Sequence, residues 1–311
     1  MGINATVEDF RAAAARAGVF FEGEIIADGR LHRVHSRGDT PGSRNAWYVL
    51  HSDLQPAGRF GSWKLGLSES WVARAPANLT QAERAANARQ VAAAQAKRER
   101  ERAGAEARAR GRAAYVWERA KLADPAHPYL VRKGVGVHGL RAYREFLVLP
   151  LYDTSGALHS LQFIGPDGAK KFLRDGRVEG CFATLKPGEV WPAALFRLYL
   201  AEGFATGATV QEVTGETVII AFNSGNLPAV AGAIRARLPD VDLIICGDND
   251  QWTTGNPGRT KATEAARAVR GRLAYPRFRN LKTKPTDFND LYTLEGPARV
   301  ESQLLAARFP S

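Results

Sequence analysis

The 311-residue sequence predicts an α/β protein: a small parallel sheet with flanking helices, preceded by a mixed α+β basic subdomain and a small β-rich N-terminal module. Three observations carry this. After residue 195, short apolar runs rich in Ile, Leu and Val alternate with helical patterns, the signature of strands joined by crossover helices. Two of those runs end in acid: 195–201 runs into Glu202, and 242–247 runs into Asp248-Asn249-Asp250. Upstream, paired apolar runs are separated by Gly/Pro turns, as in antiparallel hairpins.

Taken in order, residues 1–75 open with a short helical pattern and continue with strand-like Trp47-Tyr48-Val49-Leu50 and Phe60-Gly61-Ser62-Trp63-Lys64. Thr80-Gln81-Ala82-Glu83 has the form of a capping box, and the Ala/Arg/Glu/Gln-rich tract to about Arg112 has high helix propensity with almost no apolar stripe. That reads as a solvated helical spacer over 76–114. A basic subdomain follows over 115–195. It holds a strand at 146–151, an Asp153-Thr154-Ser155-Gly156 turn and a strand at 158–164, then a Gly165-Pro166-Asp167-Gly168 turn into Lys170-Lys171-Phe172-Leu173-Arg174. The α/β region spans 196–292. Its expected elements are a strand ending at Glu202, a helix through 209–213 stopping at Gly215, a strand at 218–222, a helix across 229–238, the strand before Asp248 and a helix from Arg259 to Leu273. Right-handed crossovers limit this to a small three-layer sheet. Residues 293–311 read as a C-terminal helix.

Lys and Arg outnumber Asp and Glu by 43 to 32, a formal charge of +11, which favours a polyanionic partner. No stretch is long and apolar enough to span a bilayer, so no membrane role is expected. The two cysteines, Cys181 and Cys246, form no CxxC pair, which excludes a zinc ribbon and suits a reducing, cytoplasmic setting. Gly134-Val135-Gly136-Val137-His138-Gly139 matches GxGxxG but lacks the strand before and helix after that a dinucleotide site needs.

Sites in parallel sheets lie beyond the carboxyl ends of the strands, which places Glu202, Asp248 and Asp250 together. Clustered carboxylates repel unless a cation sits among them. Magnesium takes one or two carboxylates directly and otherwise water or phosphate oxygens, so an open acidic cluster beside lysines suits phosphoryl transfer. Asp248 or Asp250 alone could merely cap a helix; with Glu202, and with Asp287 and Asp290 downstream, that explanation does not cover the set.

Ala201-Glu202-Gly203-Phe204-Ala205-Thr206, the Asn223-Ser224-Gly225-Asn226 turn, Gly247-Asp248-Asn249-Asp250 and Pro285-Thr286-Asp287 resemble a Toprim domain, and more closely the Toprim primases of plasmids, phages and integrated elements. The segments at 146–150, 153–162 and 170–173 are similar to the basic subdomain that precedes Toprim in bacterial-type primases. His127-Pro128-Tyr129-Leu130 and Gly58-Arg59-Phe60-Gly61-Ser62-Trp63 look like segments of the mobile-element branch.

The resemblance implies an RNA primase acting on a single-stranded DNA template with nucleoside triphosphates, and a replicative helicase as a further partner. It implies Glu202, Asp248 and Asp250 as catalytic residues, with Asp287 joining them as ligands of Mg2+ or Mn2+, and no zinc. Two ions about 4 Å apart would stabilise the attacking and leaving oxygens. Lys170, Lys171 and Arg174, together with Arg259 and Lys261, are the implied nucleotide and DNA contacts, with Lys171 facing the phosphates. Thr206 stands where replicative primases carry another acid. A Toprim nuclease and a non-catalytic DNA-binding or helicase-associated module are the alternatives. Trp63, Phe60 and Arg59 are expected to stack on template.

Overall fold

The computed structural model describes residues 3–52, 56–73, 81–185 and 196–310 and divides into two compact units, residues 1–100 and 101–311. In the first unit, helix α1 (Ile3–Arg16) packs on a four-stranded antiparallel sheet, β1 (His32–Val34), β2 (Ala46–His51), β3 (Ala57–Ser62) and β4 (Leu67–Val72), in sequential order. Phe10 of α1 is the centre of its core, with ring centroids 5.6 Å from Phe60, 6.1 Å from Tyr48 and 5.3 Å from Trp71. Phe60 is therefore core and is unavailable for stacking on template. Strand alternation turns neighbouring Arg59 outward, and Trp63, half exposed, carries the Arg33 guanidinium 4.6 Å above its ring.

The charged tract forms one helix, α2 (Gln81–Arg119); the proposed capping box at Thr80 lies outside the described residues. The helix outlasts the expected end near Arg112 because an apolar stripe does appear late in it. Ala109 and Ala113 are fully buried, and Val116 and Trp117 pack with Val148 and Leu161. In the second unit, β5 (Lys121–Leu122), β6 (Arg141–Tyr143), β7 (Phe146–Tyr152), β8 (Leu158–Ile164) and β9 (Lys170–Phe172) make an antiparallel sheet in that order, with helix α3 (Pro128–Lys133) between β5 and β6. The GxGxxG segment ends α3 instead of opening a helix: Gly134 takes the left-handed conformation of a C-cap, φ 61°.

The second sheet runs in the order β10-β12-β11-β13-β14, from β10 (Ala183–Thr184), β11 (Arg197–Ala201), β12 (Val218–Ile220), β13 (Asp242–Cys246) and β14 (Arg272–Ala274). All its pairings are parallel except that of β10 with β12. The crossovers are α4 (Phe204–Thr214), α5 (Leu227–Arg237) and α6 (Pro257–Ala268), followed by α7 (Phe288–Glu295) and α8 (Pro297–Leu305). The strand residues sort by parity. Leu198, Leu200, Ile219, Leu243 and Ile245 face α5 and α6, whereas Tyr199, Ala201, Ile220, Ile244 and Cys246 share a core with α4, α7 and α8. Both cysteines are free and buried. No helix among the described residues is long and apolar enough to cross a membrane.

Two expectations need correction. The helix from Arg259 stops at Ala268 because Arg270 (φ 50°) and Gly271 turn the chain into β14, where a Cβ on residue 271 would sit 2.9 Å from the Leu243 carbonyl oxygen. The C-terminal helix is two, split at Gly296 (φ 82°) and Pro297, and residues after 305 leave the helix to bridge Leu273 through Arg308.

A buried asparagine braces the junction next to the carboxyl rim. Asn226 accepts the Gly180 N–H at 2.8 Å, and its Nδ2 lies 2.9–3.1 Å from the carbonyls of Val178, Cys181 and Ala221. Asn226→Ala should cost about 2–4 kcal/mol, since it strands several buried polar groups at once. Urea denaturation reads this directly, and a change below about 0.5 kcal/mol would show the brace to be dispensable.

Candidate active site

The carboxyl ends of β11 and β13, the last turn of α3 and the turn before β9 enclose a cavity of about 310 Å³. Glu202, Asp248 and Asp287 line it together with Arg132, Lys133, Lys170 and Tyr129. Each acid arrives there for a local reason. Glu202 follows the last residue of β11, and Gly203 behind it starts α4 in extended conformation. Asp248 follows β13, and Asn249 fixes the loop: its N–H donates to the Thr286 carbonyl (2.7 Å), its Nδ2 to the Pro276 carbonyl (3.0 Å), and its Oδ1 accepts from Asn256 (2.8 Å). Asp250 accepts the Gly258 N–H at 2.9 Å. A Cβ at Gly258 would lie 2.7 Å from that carboxylate and 2.8 Å from the Asp248 carbonyl oxygen, so glycine is needed for α6 to start this close.

Asp287 is the N-cap of α7 and accepts the Asp290 N–H at 2.7 Å, while Asp290 closes a capping box by accepting from Thr286 and Asp287. Asp290 is thus spent on the helix start.

The electrostatics are those of crowded acid. Burial, then the charges of Glu202, Asp287 and Asp250, push the Asp248 carboxyl well above its ordinary range. Glu202 is raised by burial and by Asp250, and Asp287 by burial, with Lys133 pulling it down. The Lys170 charge lowers all three. Glu202 Oε2 is buried without a hydrogen-bond partner among the described residues, and Thr206 Oγ1 donates to Asp248 from 3.4 Å, so the threonine supports the aspartate. Buried acids with an orphaned oxygen fit a divalent cation. Among the described residues no three His, Cys, Asp or Glu side chains converge as a ready-made ligand set. Magnesium takes one or two carboxylates and otherwise water or phosphate oxygens, and Glu202 and Asp248 both line the cavity.

Of the expected cations, the structure brings one to this cavity. Lys170 lines it, its Nζ 3.4 Å from where a Cβ on Gly203 would lie. Lys171, next along β9, is not among the lining residues, as strand alternation requires; Phe172 returns to the Lys170 side and packs edge-on to Phe222 at 6.0 Å. Arg174 is almost fully exposed beside Asp175. Arg259 stacks on Tyr275 at 4.4 Å, and Lys261 pairs with Glu264 at 2.6 Å, both away from the cavity.

Sequence reasoning missed Arg132 and Lys133. Lys133 Nζ lies 3.8 Å from both Asp287 and Asp290, and its carbonyl is held by Asn289 Nδ2 at 2.8 Å. Arg132 donates to the Pro166 carbonyl at 3.0 Å, closing the wall formed by the turn before β9. Their signal was a basic pair in the last turn of a short helix, unreadable as a site until the contact with α7 is known. Tyr129 joins them, its phenol pushed up to about 12 by burial and by the Asp287 charge.

A family model described as Toprim domain matches residues 197–298. Two Escherichia coli proteins, each named DNA primase TraC, are 40% identical over 264 residues and 37% identical over 283, covering 81% and 87% of this chain. The chain spans only 24% and 19% of those relatives' own length. Among solved structures, a chain from the complex of bacteriophage T7 lagging-strand DNA polymerase with the primase domains of two gp4 subunits overlaps at TM-score 0.44 and 15% identity, covering 57% of this chain and 90% of that one. The Aquifex aeolicus primase (zinc-binding and RNA polymerase domains) overlaps at TM-score 0.44 and 10% identity, covering 98% and 85%. Overlaps this loose carry nothing about individual residues. The two sequence findings do carry weight: residues 197–298 are a Toprim domain, and the chain that holds it is a homologue of the Toprim-domain DNA primase TraC.

Proposed function

We propose that this chain is a DNA-dependent RNA primase, a nucleotidyltransferase that makes short primers on single-stranded DNA for replication of a mobile element, in a reducing cytoplasm and with a replicative helicase as partner. The observation that supports it best is the shared cavity, in which Glu202, Asp248 and Asp287 face Lys170, Lys133 and Arg132.

In the proposed step, the 3′ hydroxyl oxygen of one nucleotide bonds to the α-phosphorus of a nucleoside triphosphate, the bond from that phosphorus to the β-phosphate oxygen breaks, and pyrophosphate leaves. Glu202, whose Oε2 is buried with no hydrogen-bond partner among the described residues, is the group that would accept the hydroxyl proton where it does not ligate the cation. Lys170, with Arg132, counters triphosphate charge, because positioning and electrostatics dominate phosphoryl transfer. Lys133 holds Asp287 against α3, keeping one cavity wall in place. Asp248 and Glu202 would hold the divalent cation, Mg2+ or Mn2+, that supplies charge neutralisation at the phosphates. Asp250, which was expected with them, accepts the Gly258 N–H and does not line the cavity. Toprim domains generally use such a metal.

The test is incorporation of labelled ribonucleotides on defined single-stranded templates with Mg2+. Short RNA products are expected. Nicking of DNA by Mg2+ alone, with no incorporation, would replace this reading with a nuclease, and binding without either product would leave a non-catalytic module.

A further inference from the structure

A second cavity, of about 480 Å³, lies along the β14 edge of the sheet, between α6 and the end of the chain after α8. Arg259, Arg267, Arg277 and Arg308 line it with Tyr275 and Phe309, and among the described residues no acidic side chain does. The arginines come from three places in the chain: Arg259 and Arg267 from the first and last turns of α6, Arg277 from the stretch after β14, and Arg308 from the strand-like stretch after α8 that bridges Leu273. Tyr275 organises two of them. Arg259 and Arg277 lie over its ring at 4.4 Å and 5.2 Å, and Arg277 also donates to its hydroxyl at 3.0 Å. Four guanidinium groups round one cavity repel one another, and their forks are shaped for phosphate oxygens. The volume lies within the range of real ligand sites.

The position gives this charge a purpose. β14 pairs in parallel with β13, with Ala274 beside Cys246, and the Gly247 N–H donates to the Ala274 carbonyl at 2.9 Å. Tyr275 therefore starts one strand over, about 4.8 Å in sheet spacing, from the strand that presents Asp248. Phe309, 70% exposed, offers a ring on the same wall.

We infer that this arginine cavity grips the phosphodiester backbone of the single-stranded nucleic acid on which the carboxylate cavity acts, with Phe309 as a stacking surface for a base. The choice of a strand over a free nucleotide rests on the nucleotidyl-transfer reading. A nucleoside triphosphate offers the same phosphate chemistry, so the test must separate the two.

The measurement is fluorescence anisotropy of a labelled single-stranded oligonucleotide with the full chain, over a range of salt, without nucleotides. Arg277→Ala with Arg308→Ala should weaken binding about tenfold and flatten the slope of log affinity against log salt by about 1.4, two contacts at ~0.7 each. Arg277→Lys with Arg308→Lys, which keeps the charge, should retain most of the slope. Because binding is read without nucleotides, failure of the chemistry and failure of the groove read separately. Unchanged DNA affinity in the double alanine variant overturns the inference. So does a loss of ATP affinity with DNA affinity intact, or an equal loss in the lysine variant accompanied by a lower Tm.

Discussion

Asp248→Asn should abolish ribonucleotide incorporation, by about 10³-fold or more, and at the same time raise the Tm of the metal-free protein. The two effects share one cause. Asp248 is buried among Glu202, Asp287 and Asp250, and its folded pKa is raised well above the ordinary value. Between the unfolded and folded values the folded chain binds the extra proton, so stability falls as pH rises through that window and stays low at neutral pH. Asparagine removes the charge while its carbonyl still accepts from Thr206. A gain of a few degrees is expected, at roughly 2–4 °C per kcal/mol for a unit of this size. Mg2+ should raise the Tm of the parent, since a ligand that binds only the folded state stabilises it. The variant should show a much smaller shift. Normal incorporation by Asp248→Asn, or a lowered Tm with the Mg2+ shift intact, would make Asp248 a purely structural residue.

The acidic half of this site was legible because it depends on local pattern. An apolar strand run that ends in acid projects that acid past the carboxyl end of a sheet whatever the distant packing, and Glu202 and Asp248 follow that rule. The cationic half depends on contacts far apart in sequence. Whether Lys170 or Lys171 faces the acids turns on which face of a three-residue edge strand meets the neighbouring sheet, and no local signal sets that parity. Lys133 becomes a site residue only once Asn289 and Asp287 dock against α3. β14 was hidden because Arg272-Leu273-Ala274 continues a helical pattern, and only the Arg270-Gly271 break and pairing with β13 convert it to strand. Arg259 lies away from the carboxylate cavity because Tyr275, which belongs to the unforeseen β14 edge, draws it over its ring. Phe60 and Arg59 show the converse: alternation in β3 alone would have assigned one to the core and the other to solvent.

Lys170→Ala should lower incorporation by roughly 10²–10³-fold, the scale for removing one preorganised charge at a transferring phosphate, whereas Lys171→Ala should stay within about threefold of the parent, as surface substitutions usually do. The two residues are adjacent and chemically identical, so composition, net charge and long-range attraction for DNA are matched between the variants. What differs is the side of β9. Lys170 lines the carboxylate cavity and lowers the pKa of Glu202, Asp248 and Asp287. Its loss should therefore also lower the Tm of the metal-free protein, because the acids lose a counter-charge, and Mg2+ should restore much of that difference. Lys171 has no such coupling, and its variant should melt with the parent under both conditions. Lys170→Arg should recover part of the activity, since the charge returns on a longer, planar group that fits the approach to Gly203 less well. If Lys171→Ala is the inactive variant and Lys170→Ala is benign, β9 presents its other face to the substrate, and the cavity described here is not where the triphosphate sits.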